Sequence, residues 1–239
     1  MSQKNIVLSQ EKDLLYFQGL GLVTGITTAL FRAPSDAEYL SPEEHLTARL
    51  QGDYFVRSEP KRSAKMVVLK ADSNRNYYSE DVLLYAARDR NFSPIMMMAS
   101  ADEPVVILFH PKSGLTALIN GSWENIILNL IHSTLSVVRS KFDINIGEIS
   151  AWIWPGLCSN CFHPGKDLFD YLLAENKKID LRNNLLKRLS EAGIRMENIY
   201  STNLCSGHSQ NDQGYFFHSP QRDQALEGPT NLLFVKLNV

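Results

Sequence analysis

Apolar residues in this chain recur with two periods, and the longer one marks helices. From Trp123 they fall at positions 126, 127, 130, 131, 135 and 138, the spacing of one helix with a single buried face. Ser122 stands as its N-cap, and Glu124 in the first turn suits the positive helix end. A second helix is predicted after Asp180, with Leu181, Leu185, Leu186, Leu189 and Ala192 on one face and Gly193 as its stop. "SPEEHLTARL" predicts a short helix capped by Ser41, with Pro42 at its first position. "SEDVLLYAARD" reads as a helix capped by Ser79, and residues Lys166 to Ala174 as another. The shorter runs read as strands. They are "NIVLS", "LLYFQGLGLVTGITTALF" with a Gly-rich turn, "AKMVVLKA", "GLTALIN", "EISAWIWP", "NIYST" and "TNLLFVKLN". "PIMMMASADEPVVILFHP" reads as two strands broken near Asp102-Glu103-Pro104, with Lys112 to Gly114 as the next turn. Helices and strands are interspersed, several strands adjoin by hairpins, and no linker divides the chain. The fold class predicted is α+β, one domain over residues 1–239 with mixed β-sheets flanked by helices.

Composition narrows the function classes. The 239 residues are 44% hydrophobic and 21% charged, which suits a globular domain with a sizeable core rather than a disordered chain. A net charge of -2 gives no bulk attraction to nucleic acid or to an anionic membrane. The longest apolar runs fall far short of a membrane span. "MSQKNIVLSQEKD" has no apolar leader, so a cytoplasmic location is expected and the Asn-x-Ser matches at Asn91 and Asn120 are read as chance.

All three cysteines lie in two short pieces, "CSNCFH" (Cys158, Cys161, His163) and "CSGHS" (Cys205, His208). Three cysteines make no disulfide framework. Three sulfurs and two imidazoles offer the ligand types of a tetrahedral zinc site, and the two-residue spacing suits it. The other reading is local packing, since free Cys behaves as a small apolar group. His45, His110 and His132 read as surface or satisfied core residues.

Six pieces, in order, resemble one family. They are "SADEPVV", "HPKSGLTALINGSWEN", "IWPGLCSNCFHPG", "IDLRNNLLKRLSEAGI", "STNLC" and "FHSPQRD". They are similar to the laccase-domain (YfiH-like) family, formerly called multicopper polyphenol oxidases. Its members are described as purine nucleoside phosphorylases with adenosine deaminase side activity. The family's pieces read A-D-C-x-P-V, H-A-G-W-R-G, I-G-P-x-I-G-P-C-C-Y-E-V-G, a late C-T, and F-H-S-Y-R-R-D. The resemblance spans about residues 95 to 235, and the separation of Glu103 and Asn120 equals the family's Cys-to-His separation.

The resemblance implies a YfiH-like fold and a nucleoside-like small-molecule ligand, and it exposes departures. Glu103 stands where the family has its metal-binding Cys, and Asn120 where it has a metal-binding His. The third ligand, an upstream His, should fall near residues 68–74, yet no His lies between His45 and His110. Trp123 is kept. Glu124 replaces an Arg, Thr27-Thr28-Ala29 replaces S-T-R, and Gln221 replaces the first Arg of R-R-D, leaving Arg222 and Asp223. Trp123 and Arg222 are thus the implied substrate contacts that remain. A thiolate and two imidazoles suit zinc; a carboxylate and an amide oxygen would favour a hard cation instead. Phosphorolysis needs cations around phosphate, and Glu124 reverses that charge. Cys161 and Cys205 fall where the family commonly has Cys outside its catalytic metal site, whereas Cys158 and His163 are departures. The expectation is a divergent member with its metal ligands and phosphate-binding arginines replaced, without catalysis there and with no cofactor needed. The alternatives are an active phosphorylase of adenosine or inosine with an altered site, or a hydrolytic activity using Glu103 as base. Asp102 and Glu103 are neighbours on extended chain and should point to opposite faces.

Overall fold

Strands without polar alternation need burial on both faces. Val82–Tyr85, Val105–His110, Leu115–Asn120 and Ser150–Ile153 are buried at every residue. A computed structural model describes residues 4–5, 9–11, 14–19, 22–27, 41–52, 54–70, 76–86, 94–163, 179–212, 214–224 and 230–237. Within them the first of two seven-stranded sheets runs Lys4–Asn5, Ile199–Ser201, Ser150–Ile153, Val105–His110, Leu115–Asn120, Val82–Tyr85, Met66–Leu69. Its centre is the antiparallel hairpin pairing Val105 with Asn120. Ser150–Ile153 pairs in parallel with Ile199–Ser201. The second sheet runs Ser9–Glu11, Leu14–Gly19, Leu22–Thr27, Asn231–Leu237, Ile95–Ser100, Phe55–Ser58, Tyr77–Tyr78.

The sheets pack face to face. Leu83, Val105, Ile107, Leu118 and Trp152 of the first meet Ile26, Met96, Met98, Leu233 and Val235 of the second in one buried cluster. On the outer face of the first sheet, Val82, Leu84, Val106, Leu108 and Ile119 are covered by the helices Trp123–Ile127, Leu130–Phe142 and Leu181–Glu191. The helix Pro42–Arg49 sets Leu46 against Phe55, Ile95, Met97 and Phe234 on the far side of the second sheet. Each fully buried aliphatic side chain stabilises by about 1.5–3 kcal/mol. Mixed sheets flanked by helices in one domain agree with the sequence reading.

The caps follow it too. Ser41 Oγ accepts from Glu44 N–H at 3.2 Å while Glu44 returns a bond to Ser41 N–H at 2.7 Å, a closed capping box. Asp180 caps Leu181–Glu191, and Gly193 ends it at φ 104°.

Two expectations are corrected. "SEDVLLYAARD" holds a strand, Val82–Tyr85, not a helix. Val82 and Leu84 face the helices while Leu83 and Tyr85 face the second sheet, so its run is apolar for a strand's reason. The helix begun at Trp123 is not continuous. It stops at Ile127 and restarts at Leu130, with Asn129 left-handed at φ 57°. Ile127 and Leu128 are therefore about half exposed, at 53% and 54%. The expected helix at Lys166 to Ala174 lies outside the described residues.

Candidate functional site

The end of the strand Leu115–Asn120, the loop after Ile95–Ser100 and the segment before Met66–Leu69 meet at one corner of the first sheet. The chain is drawn tight there. Gly121 N–H donates to Pro104 O at 2.8 Å, and a Cβ on Gly121 would lie 2.7 Å from that oxygen and 2.8 Å from Leu185 Cδ1. Only glycine fits that approach.

Asn120 is buried and its amide oxygen is spent. Oδ1 accepts from Ser122 N–H at 3.0 Å and from Asn125 Nδ2 at 3.0 Å. Asn125 Nδ2 also donates to Asp81 Oδ1 at 3.1 Å. Asp81, fully buried, further accepts from Arg62 N–H at 2.8 Å, Ser63 N–H at 2.7 Å and Ser63 Oγ at 3.1 Å. Its own backbone oxygen takes Asn120 N–H at 2.9 Å. A buried carboxylate with several donors is satisfied without any cation.

Glu103 is paired as well. Its carboxylate bonds Arg62 Nη2, and Arg62 Nη1 lies 3.5 Å from Glu124. Glu103, then Glu124, hold the Arg62 guanidinium above its ordinary value against the opposing effect of burial. Asp102 points elsewhere, as expected of its neighbour: Oδ1 accepts from Ser206 Oγ at 3.0 Å and Oδ2 from Gln221 N–H at 2.9 Å. The two adjacent carboxylates therefore do not act as a pair. The metal that the resemblance implies does not fit here. Glu103 already has a cation partner, and the Asn120 oxygen is filled by two N–H donors. Of the place expected for the upstream ligand, residues 71–75 lie outside the described set.

Of the two retained contacts, Trp123 packs half-buried against the helix-side core, and its indole N–H has no partner among the described residues. Arg222 is engaged by its own segment and by the Cys205–Ser209 turn. It holds Asp223 through Nε at 2.6 Å and Nη2 at 2.8 Å, reaches Ser206 O and Phe217 O, and lies 3.9 Å from the Tyr215 ring centroid. The Arg222 hydrogen bonds draw the Asp223 carboxyl below its usual value.

On the other side of the 102–104 loop, the first sheet's parallel strands run out into loops that bring four ligand atoms together. The sulfurs of Cys158, Cys161 and Cys205 and a ring nitrogen of His208 all lie within 4.8 Å of one another. His208 Nδ1 is 3.7 Å from Cys158 Sγ and 3.2 Å from Cys161 Sγ. All three cysteines are free thiols. Burial, with Cys158 and Cys205 beside it, pushes the Cys161 thiol up to about 12. Burial opposes ionisation of Cys158 too, but the backbone amides of Asn160 and Cys161 and the neighbouring thiols outweigh it and lower that thiol. His163 takes no part; its backbone is bonded to the Gln221 side chain at 3.0 Å in both directions.

Asp81 and Arg62 are the partners that sequence reasoning missed. Asp81 sat in a segment read as a helix start, and Arg62 in a polar stretch without a motif. No spacing rule joins either to Asn120 or Glu103.

Among curated proteins, none matches the chain in sequence. Its fold is similar to that of Bacillus licheniformis YfiH, a hypothetical protein, with a TM-score of 0.77 at 16% identity over 96% of this chain and 98% of that one. It is similar also to YlmD from Geobacillus stearothermophilus, with a TM-score of 0.78 at 16% identity over 98% and 100%. The Neisseria meningitidis protein NMB0706 gives 0.72 at 15% identity over 95% and 100%. These likenesses establish the fold alone. A sequence-family model described as multi-copper polyphenol oxidoreductase laccase matches residues 64–230. That span is well over half of the sequence and includes Glu103, Asn120 and all three cysteines, so the chain belongs to the multi-copper polyphenol oxidoreductase laccase family and has its YfiH-like fold.

Proposed function

We propose that this chain is a family member without metal-dependent purine-nucleoside chemistry at the Glu103–Asn120 corner, its scaffold kept for stability and for binding. One observation carries the reading: both side chains at the ligand positions are already satisfied, Glu103 by Arg62 and Asn120 by Ser122 and Asn125. Metal-assisted catalysis needs ligands that fix the ion and leave it an open position. Phosphorolysis also needs positive charge free to meet phosphate. Arg62 faces two carboxylates, and Arg222 is bound to Asp223. An active phosphorylase with an altered site would have to break these pairs first. A base at Glu103 would have to leave Arg62.

The ligand class that family membership suggests is a nucleoside-like small molecule.

The test is release of free base from adenosine and inosine in phosphate, followed by chromatography. No turnover above the protein-free rate is expected. Phosphorolysis that disappears in Asn120→Ala would overturn the proposal. Calorimetric titration with adenosine is expected to show binding without turnover; absence of heat removes the ligand half of the reading.

A further inference from the structure

We propose that Cys158, Cys161, Cys205 and His208 bind one Zn²⁺ ion in a closed tetrahedral site that clamps two loops together. This site is separate from the Glu103–Asn120 corner, and the inference does not rest on the reading of that corner.

The distances carry the argument first. Zinc–sulfur and zinc–imidazole bonds of about 2.3 and 2.0–2.1 Å, arranged tetrahedrally, put a sulfur and a nitrogen about 3.6 Å apart. The same bonds put two sulfurs about 3.8 Å apart. His208 Nδ1 stands 3.7 and 3.2 Å from two of the sulfurs, and all four ligand atoms fall within 4.8 Å. Four soft or borderline donors in that arrangement select zinc or another thiophilic ion over Mg²⁺ or Ca²⁺.

The backbone is shaped for the same purpose. Cys158 and Cys161 sit on one turn, where Cys161 N–H and Phe162 N–H both donate to Cys158 O at 3.0 and 2.9 Å. Cys205 and His208 sit on a second turn, closed by Ser209 N–H to Cys205 O at 3.0 Å and by Cys205 N–H to Ser209 Oγ at 2.7 Å. Cys158 N–H donates to Cys205 Sγ at 3.3 Å, the outer contact that steadies a thiolate ligand. Gly207 lets the turns touch: a Cβ there would stand 2.8 Å from Leu157 Cδ2 and 3.3 Å from Cys161 Sγ.

The site's place in the fold gives it a task. The loops leave the parallel strands Ser150–Ile153 and Ile199–Ser201, and between them only an isolated bridge, Gly156 with Cys205, continues the pairing. Around the cluster, residues 154–163 and 202–209 form no helix or extended strand. Their flanks hold other parts: Ser206 bonds Asp102 and Arg222, and His163 bonds Gln221. Four protein ligands leave no open position, so the ion holds structure and does not activate water.

The test uses the full chain purified under reducing conditions without chelator. About one zinc per chain is expected by elemental analysis, with the three thiols resisting alkylation until a chelator removes the ion. Replacement by Co²⁺ should give the visible spectrum of a tetrahedral thiolate site. Cys161→Ser and His208→Ala should each weaken binding by more than the roughly 10–100-fold that loss of an outer-shell partner costs. His208→Cys should keep the ion as a four-sulfur site. If a variant does not fold, the cobalt spectrum of the unaltered chain decides alone. Reduced, folded protein that takes up neither Zn²⁺ nor Co²⁺ would overturn the proposal. So would unchanged zinc content in both Cys161→Ser and His208→Ala, or iron in place of zinc in the protein as isolated.

Discussion

Asp81 is the residue on which the Glu103–Asn120 corner turns. It is fully buried and receives two backbone N–H groups, one hydroxyl and one side-chain amide. Removing it leaves several buried donors unpaired, each costing about 1–3 kcal/mol. Asp81→Ala is therefore expected to destabilise by about 3 kcal/mol or more, read as a lower midpoint in urea. Glu103→Gln is expected to cost less than about 1 kcal/mol, because Arg62 is more than half exposed. A larger loss from Glu103→Gln than from Asp81→Ala would reverse this ranking. Asp223 gives a pH signature. Its folded-state value is lowered, chiefly by Arg222. Its contribution is thus present above the unfolded carboxyl value of about 3.9 and is lost as pH falls through the lower folded value. The difference in Tm between wild type and Asp223→Asn should hold steady above about pH 5 and close below about pH 4. A gap that widens in acid would contradict the pairing. Sequence gave no route to Asp81 or Arg62, because nothing in their local pattern marks long-range polar partners. Glu103 and Asn120 were legible only through the family's spacing.

Elements were legible where one face is wet. The helices Pro42–Arg49 and Leu181–Glu191 bury one stripe and carry caps, so period and cap agree. Val82–Tyr85 was misread because both of its faces are covered, which erases the alternation that names a strand. The break at Asn129 was invisible for another reason: a left-handed residue leaves the apolar spacing of the sequence unchanged. Asn tolerates that conformation and glycine tolerates it better. Asn129→Gly is expected to be neutral or slightly stabilising, while Asn129→Val should cost about 1–2 kcal/mol. Denaturant midpoints of the two variants check this, and equal losses in both would mean that the Asn side chain, not the turn, matters.

At the scale of the molecule, both sheets contribute to one buried cluster that includes Trp152 and Trp154. Neither sheet keeps its inner face covered without the other. Unfolding is expected to be a single transition, with tryptophan fluorescence and far-ultraviolet dichroism tracing the same curve in urea. Separated curves would show that the sheets melt independently. The metal cluster was half legible from sequence. Its ligand types and two-residue spacing were visible, but the adjacency of residues 158 and 205 comes from parallel strand pairing that no local pattern states. The polar network at the other corner acts as a ratchet. A His at 120 would strand the Ser122 amide and Asn125, at about 1–3 kcal/mol for each lost partner. A Cys at 103 would leave Arg62 with Glu124 alone. Each single step toward a metal-binding set loses stability before any ion can repay it, so the corner changes back only if several positions change together.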